Sequence, residues 1–151
     1  MKQEKDFLRE KFIEFQLRIA ELTRAVHEQA DTFQTRERDL YLNLFEVLDA
    51  FENLNETIQA KEDGFDKTTR GLAKTIRSIH RKLTRLLKSD HIVQIEFSEN
   101  KARMEYCKIV DTRKAATMEN ETILSVVKHG YIDKRQGRVL RKAEVITVLN
   151  R

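Results

Sequence analysis

The sequence predicts an α+β protein: a long N-terminal coiled-coil helix, a second helix that completes a helical bundle, and a small C-terminal β domain. Three observations carry this reading. Apolar residues recur in alternating steps of four and three from Leu8 to Ile58. Charge changes sign along the chain: residues 1–65 hold nine Lys and Arg against fifteen Asp and Glu, residues 66–88 eight against one, and residues 89–151 twelve against nine. From His91 onward the apolar period becomes two. The expected domains are therefore 1–63, a dimerisation helix; 64–90, the second helix; and 91–151, the β domain.

The first helix has one seam: Leu8, Phe12, Phe15, Ile19, Leu22, Val26, Ala30 and Phe33, a polar gap at Glu37, then Leu40, Leu44, Val47, Phe51, Leu54 and Ile58. The extra step of four between Val26 and Ala30 is a stutter, which unwinds a left-handed supercoil locally without breaking the helix. Fifty helical residues span roughly 75 Å, more than the rest of a 151-residue chain can cover. A second copy of the same helix is the economical partner, in parallel or, as the alternative, antiparallel orientation. The dimer seam is expected to be firmest over Leu40, Leu44, Val47, Phe51, Leu54 and Ile58.

Gly64, in "KEDGFD", is the first available helix stop. A second helix is expected from about Lys67 to Ser89, with Leu72, Ile76, Ile79, Leu83 and Leu86 or Leu87 as its apolar face. Two helices from each chain, in a dimeric four-helix bundle, would bury both faces. The opposite face carries Lys67, Arg70, Lys74, Arg77, Arg81, Arg85 and Lys88. This stripe reads as a solvated face tuned by Glu46, Asp49, Glu52 and Glu56 of the first helix, or docked on them. A nucleic-acid surface is disfavoured, because no aromatic residues interleave with the cations.

Composition sets the class. The chain is 36% charged, has a mean hydropathy of −0.61 and contains no proline, as expected of a soluble, helix-rich protein. No apolar run reaches membrane-spanning length and the start, "MKQEKDFLREKF", is charged, so neither a membrane span nor an export signal is expected, and a cytoplasmic location is. The single Cys107 cannot form an internal disulfide and occupies an alternating segment, "EYCKIVDT", where a small buried residue belongs. His27, His80, His91 and His129 lack ligand spacing, so no metal or cofactor is expected. With no nucleophile constellation and no phosphate loop, the chain does not read as an enzyme.

Four short strands are expected after His91: "IVQIEF", "EYCKIVDT", and a hairpin flanking the polar loop "DKRQG", with Gly130 and Gly137 as turn residues of positive φ. The hairpin "LSVVKHGYIDKRQGRVLRKAEVITV" resembles the C-terminal signature of the GrpE family, the nucleotide exchange factors of DnaK-type heat-shock chaperones. "LFEVLDAFENLNETI" and "IHRKLTRLLKSDHIVQI" are similar to that family's long-helix and second-helix segments, in the same order. The sequence departs from the family pattern at Lys142, where the family has proline, and at Phe45-Glu46, where it has a leucine-proline pair. "FSENKARMEYCK" stands in place of the family's Asp-Pro motif.

The resemblance implies a homodimeric co-chaperone of protein folding and the stress response, which opens the chaperone's nucleotide-binding domain and speeds ADP release without catalytic groups of its own. Carried over position by position, it implies chaperone contacts at Arg138, Val127 and Thr147 in the β domain and at Asn53, Glu56 and Thr57 on the long helix. The alternatives are a coiled-coil adaptor without exchange activity and a nucleic-acid-binding dimer that uses the basic second helix.

Overall fold

The computed structural model describes residues 1–150. They form two compact units, Met1–Leu40 and Tyr41 onward. Helix α1, Lys2–Lys61, contributes to both.

In the first unit every apolar side chain of the seam is exposed. The helix there is supported only by its own backbone and by local pairs, such as Lys11–Glu14 at 2.6 Å and Arg24–Glu28 at 3.5 Å. Exposed pairs of this kind add little.

The second unit begins with the rest of α1. One 3-10 turn, Glu62–Gly64, ends the helix, and Asp66 caps the next by accepting from the Thr69 amide at 2.7 Å. The Thr69 hydroxyl and then its amide, both favouring the carboxylate, hold the Asp66 carboxyl below its ordinary range. Helix α2, Lys67–Ser89, ends at Asp90 and at His91, whose φ of 62° is left-handed.

Strands β1 (Ile92–Gln94), β4 (Tyr131–Asp133) and β5 (Arg138–Arg141) form one antiparallel sheet in the order β1-β4-β5. Strands β2 (Cys107–Arg113), β6 (Ala143–Val148) and β3 (Ile123–Lys128) form the other, with β6 central, parallel to β2 and antiparallel to β3.

Six strands in two sheets thus replace the four strands expected. The expected hairpin is real but folded across itself: its outer halves, β3 and β6, pair in one sheet and its inner halves, β4 and β5, in the other. Gly130 lies at the fold, and positive φ is not its reason. A Cβ there would meet the Ala143 amide nitrogen at 2.5 Å and the Arg141 carbonyl oxygen at 2.9 Å, so the position requires close backbone approach. Gly137 does have the expected positive φ, +62°. It closes a turn in which Asp133 accepts from the amides of Arg135 and Gln136.

The core has two centres. Phe45, Leu48, Leu87, Ile92, Tyr131 and Leu140 join α1, α2 and the first sheet, and Cys107, Ala143 and Val145 centre the second sheet. The Cys107 thiol donates to the Arg103 carbonyl at 3.1 Å, and burial pushes its pKa up.

The seam expected over residues 40–58 divides into two stripes, each with seven-residue spacing. Leu44, Phe51 and Ile58 turn inward, while Leu40, Val47 and Leu54 remain exposed. Helix α2 divides in the same way: Ile76, Leu83 and Leu87 turn inward and Leu72, Ile79 and Leu86 are exposed. One chain therefore buries half of each apolar face by itself.

Candidate functional site

The surface that the sequence singles out is a corner where α1 meets the β domain, and it is built on one buried junction. Phe45 is 0% exposed and stacks on Tyr131 with ring centroids 4.0 Å apart. The Arg141 guanidinium lies 5.4 Å from both ring centroids.

Its two terminal nitrogens donate to the two oxygens of Asp49 at 2.7 and 2.6 Å, and Nε and Nη2 donate to the His129 carbonyl at 3.0 and 2.7 Å. Both charged side chains are only about 15% exposed. A bidentate guanidinium–carboxylate pair this well shielded fixes orientation as well as proximity. The end of strand β5 is thereby clamped to α1.

The end of β3 is held to the same helix. Lys128 Nζ lies 4.0 Å from Asp49, and His129 Nε2 lies 3.4 Å from Glu52. Burial, helped by the nearby Asp49 charge, raises the Glu52 carboxyl above its ordinary range. Burial lowers the His129 pKa, so the neutral imidazole can donate to Glu52 from Nε2. Burial also raises the Tyr131 phenol far above its usual value, keeping it neutral.

The residues implied by resemblance fall around this corner unequally. Val127 precedes the clamped Lys128 and His129 and is 55% exposed. Asn53, Glu56 and Thr57 are exposed on α1, about one turn beyond Asp49 and Glu52, and Thr57 donates to the Asn53 carbonyl at 3.0 Å. Arg138 is exposed at the far end of β5 from Arg141 and makes no ion pair among the described residues. Thr147 differs from these. At 1% exposure on the central strand β6, it presents no side-chain surface to a partner in this conformation.

Of the two readings of the basic stripe, docking on the acidic stripe of α1 is not seen among the described residues. Asp49 and Glu52 face the β domain, and on α2 only Arg77 forms an ion pair, with Glu62.

The junction itself was not read from the sequence. Phe45, Asp49, Glu52 and Glu56 recur at four, three and four residues, which places an aromatic and three acids on one face of α1. That spacing was the available signal. Its partners, Tyr131 and Arg141, lie far away in sequence at the two ends of the inner hairpin.

No group of three or more His, Cys, Asp and Glu residues suited to a metal ion occurs among the described residues. No described helix is long and apolar enough to cross a membrane. No curated protein matches the chain. The GrpE family does, over residues 1–148, which takes in both helices and all six strands. The chain belongs to the GrpE family, the non-enzymatic co-chaperones that act as nucleotide exchange factors for DnaK-type chaperones.

Proposed function

We propose that this chain is a homodimeric exchange factor that grips the nucleotide-binding domain of a DnaK-type chaperone in an open form, from which ADP leaves faster. The effect requires only tighter binding to the open state than to the closed one; that difference in affinity is the driving force. The dimer reading is supported by the exposed stripes Leu40, Val47 and Leu54 on α1 and Leu72, Ile79 and Leu86 on α2, continued in the first unit by Phe12, Phe15, Ile19 and Leu22. A second copy would cover them in a four-helix bundle and a paired helix.

One observation carries the exchange reading: the double clamp of β3 and β5 onto α1 through Lys128, His129 and Arg141. A factor that props a domain open must not bend under the load, and the clamp joins Val127 rigidly to the helix bearing Asn53, Glu56 and Thr57. Arg138 supplies an uncommitted guanidinium on the same domain.

The test is ADP release from a DnaK-type chaperone with and without the protein, repeated with Arg138→Ala. Truncating an interfacial arginine often costs about 2 kcal/mol of binding, roughly thirtyfold in affinity. The variant should keep the wild-type melting curve yet need a correspondingly higher concentration to accelerate release. Equal titrations would remove Arg138 from the contact, and no acceleration by wild type would overturn the exchange reading.

A further inference from the structure

The basic face of α2 is left without a role by the exchange reading, and the structure leaves it unneutralised. Of the four acids of α1 that could have balanced it, Asp49 is engaged by Arg141 and Lys128 and Glu52 by His129, while Glu46 and Glu56 are exposed and make no ion pair with α2 among the described residues. Arg77 pairs with Glu62 at 3.0 Å. Lys67, Arg70, Lys74, Arg81, Arg85 and Lys88 make no ion pair among the described residues.

Two hollows open on this one face. The first, about 580 Å³, lies between α1 and α2 and is lined by Lys74, Arg77, His80 and Arg81 with Asn55 and Gln59. The second, about 640 Å³, lies where the last turns of α2 meet the β domain. Thr84 and Lys88 form its helical side; the half-buried Val93, Phe97, Tyr106 and Ile132 supply apolar surface, and the exposed cations Arg103 and Lys134, with Lys88, outnumber the one acid of the lining, Glu96.

Lys74, Arg77, Arg81, Thr84 and Lys88 follow one another at three and four residues, so a single helical line connects the hollows. That line spans roughly 21 Å, the reach of about six or seven residues of extended chain. Arg81 lies nine residues from Leu72, half a turn around the helix at about 100° per residue, so the line faces away from the stripe assigned to dimerisation.

We propose that this line, from Lys74 to Lys88 and on into the hollow beside β1, binds an extended acidic polypeptide segment that carries apolar side chains. The cations select negative charge, and the apolar lining of the second hollow gains from burying aliphatic side chains, which a sugar-phosphate backbone does not offer. Base stacking finds no platform along α2, and Phe97 packs onto the core of the second sheet. None of the residues assigned to chaperone contact takes part, so the proposal stands or falls independently of the exchange assay.

Fluorescence anisotropy with the full chain tests it. The probe is a labelled peptide of about twelve residues that alternates Asp or Glu with Leu or Val, measured at about 150 mM salt, where exposed charges are screened beyond about 8 Å. Saturable binding is expected, weakened at least about tenfold by Lys88→Glu with Lys134→Glu. A peptide with serine in place of each aliphatic residue should bind several-fold more weakly. Ile132→Thr, which keeps a β-branched strand residue, should lessen that preference.

The substituted sites Lys88 and Lys134 are exposed, and unchanged melting curves will separate lost binding from lost folding. No binding of the peptide, equal binding of the serine peptide, or tighter binding of a uridine oligonucleotide of similar length would each overturn the proposal.

Discussion

Helix α1 repeats one apolar spacing through two regions that meet different fates. Over residues 1–40 the seam residues Phe12, Phe15, Ile19, Leu22, Val26 and Phe33 are all exposed; over residues 41–61, Phe45 is 0% and Leu48 2% exposed. Apart from the stutter at Val26–Ala30 and the gap at Glu37, periodicity is the same in both. Density beside the seam is what differs: the first region scatters Phe7, Ile13 and Leu17 off it, whereas the second gathers Tyr41, Leu42, Phe45 and Leu48 within eight residues, so one edge can pack on α2 and the first sheet while the other remains open. A narrow stripe needs a partner helix, whereas a wide one can serve an internal core and a partner together.

The largest test of this contrast is to truncate one aromatic residue in each region. Phe45→Ala removes a fully buried ring that stacks on Tyr131 and supports Arg141, and a loss of about 3 to 5 kcal/mol is expected. Thermal melts should show a large drop that does not depend on protein concentration. Phe15→Ala removes a ring that is 61% exposed and belongs to neither core, and its effect should appear only through dimer formation, as a melting shift that shrinks as concentration rises. If Phe45→Ala melts like wild type, the wide region is not the internal core.

A smaller effect tests the clamp. Asp49→Asn leaves the Arg141 guanidinium shielded from solvent without its counter-charge, and breaking such a pair from one side costs about 3 kcal/mol. Combining it with Arg141→Met should recover part of that loss, because the second change removes the stranded charge. Denaturant titrations of the two single variants and the double variant close the cycle. Additive losses would show that the two side chains are not coupled.

How much of this could be read from sequence follows from the range of each interaction. The helix limits were legible because their signals are local: Gly64 lies within two residues of the first change in charge, and the second change in charge lies beside the change in period at His91. The hairpin loop was legible from "DKRQG" for the same reason. Its fold into two sheets was not, because that depends on Gly130 lying against the backbone of Arg141 and Ala143, a contact with no local signature.

Among the implied contact residues, strand alternation alone could not decide which faces were covered. Val127 is exposed, while Thr147 is buried on a strand flanked on both sides by others. The Asp49–Arg141 pair joins residues 92 positions apart and required the fold itself.

The smallest expected effect is a pH dependence located at the corner and missing from the first unit, where no described ionisable group is buried. Burial is the main cause of the lowered His129 pKa; Asp49 and Glu56 oppose it and Arg141 adds to it. The folded state therefore favours the neutral ring. The stability this contributes is full above the unfolded value near 6.5 and is lost as pH falls through the depressed folded value.

Glu52 has the opposite sign. Burial and Asp49 raise its pKa, so its contribution is present below the ordinary carboxyl value and lost as pH rises through the raised one. On acidification from neutrality the two groups oppose each other, but in different windows: His129 acts first, below about 6.5, and Glu52 begins to offset it nearer the carboxyl range. Because the His129 ring is about a third exposed, solvent weakens its contribution and the slope should be shallow.

Urea midpoints of wild type and His129→Gln at about pH 7.5 and about pH 5.5 check the prediction. Wild type should lose more stability than the variant between the two. A wild type that gained on the variant would mean that the charged imidazolium, paired with Glu52 and flanked by Asp49 and Glu56, outweighs the cost of burying it.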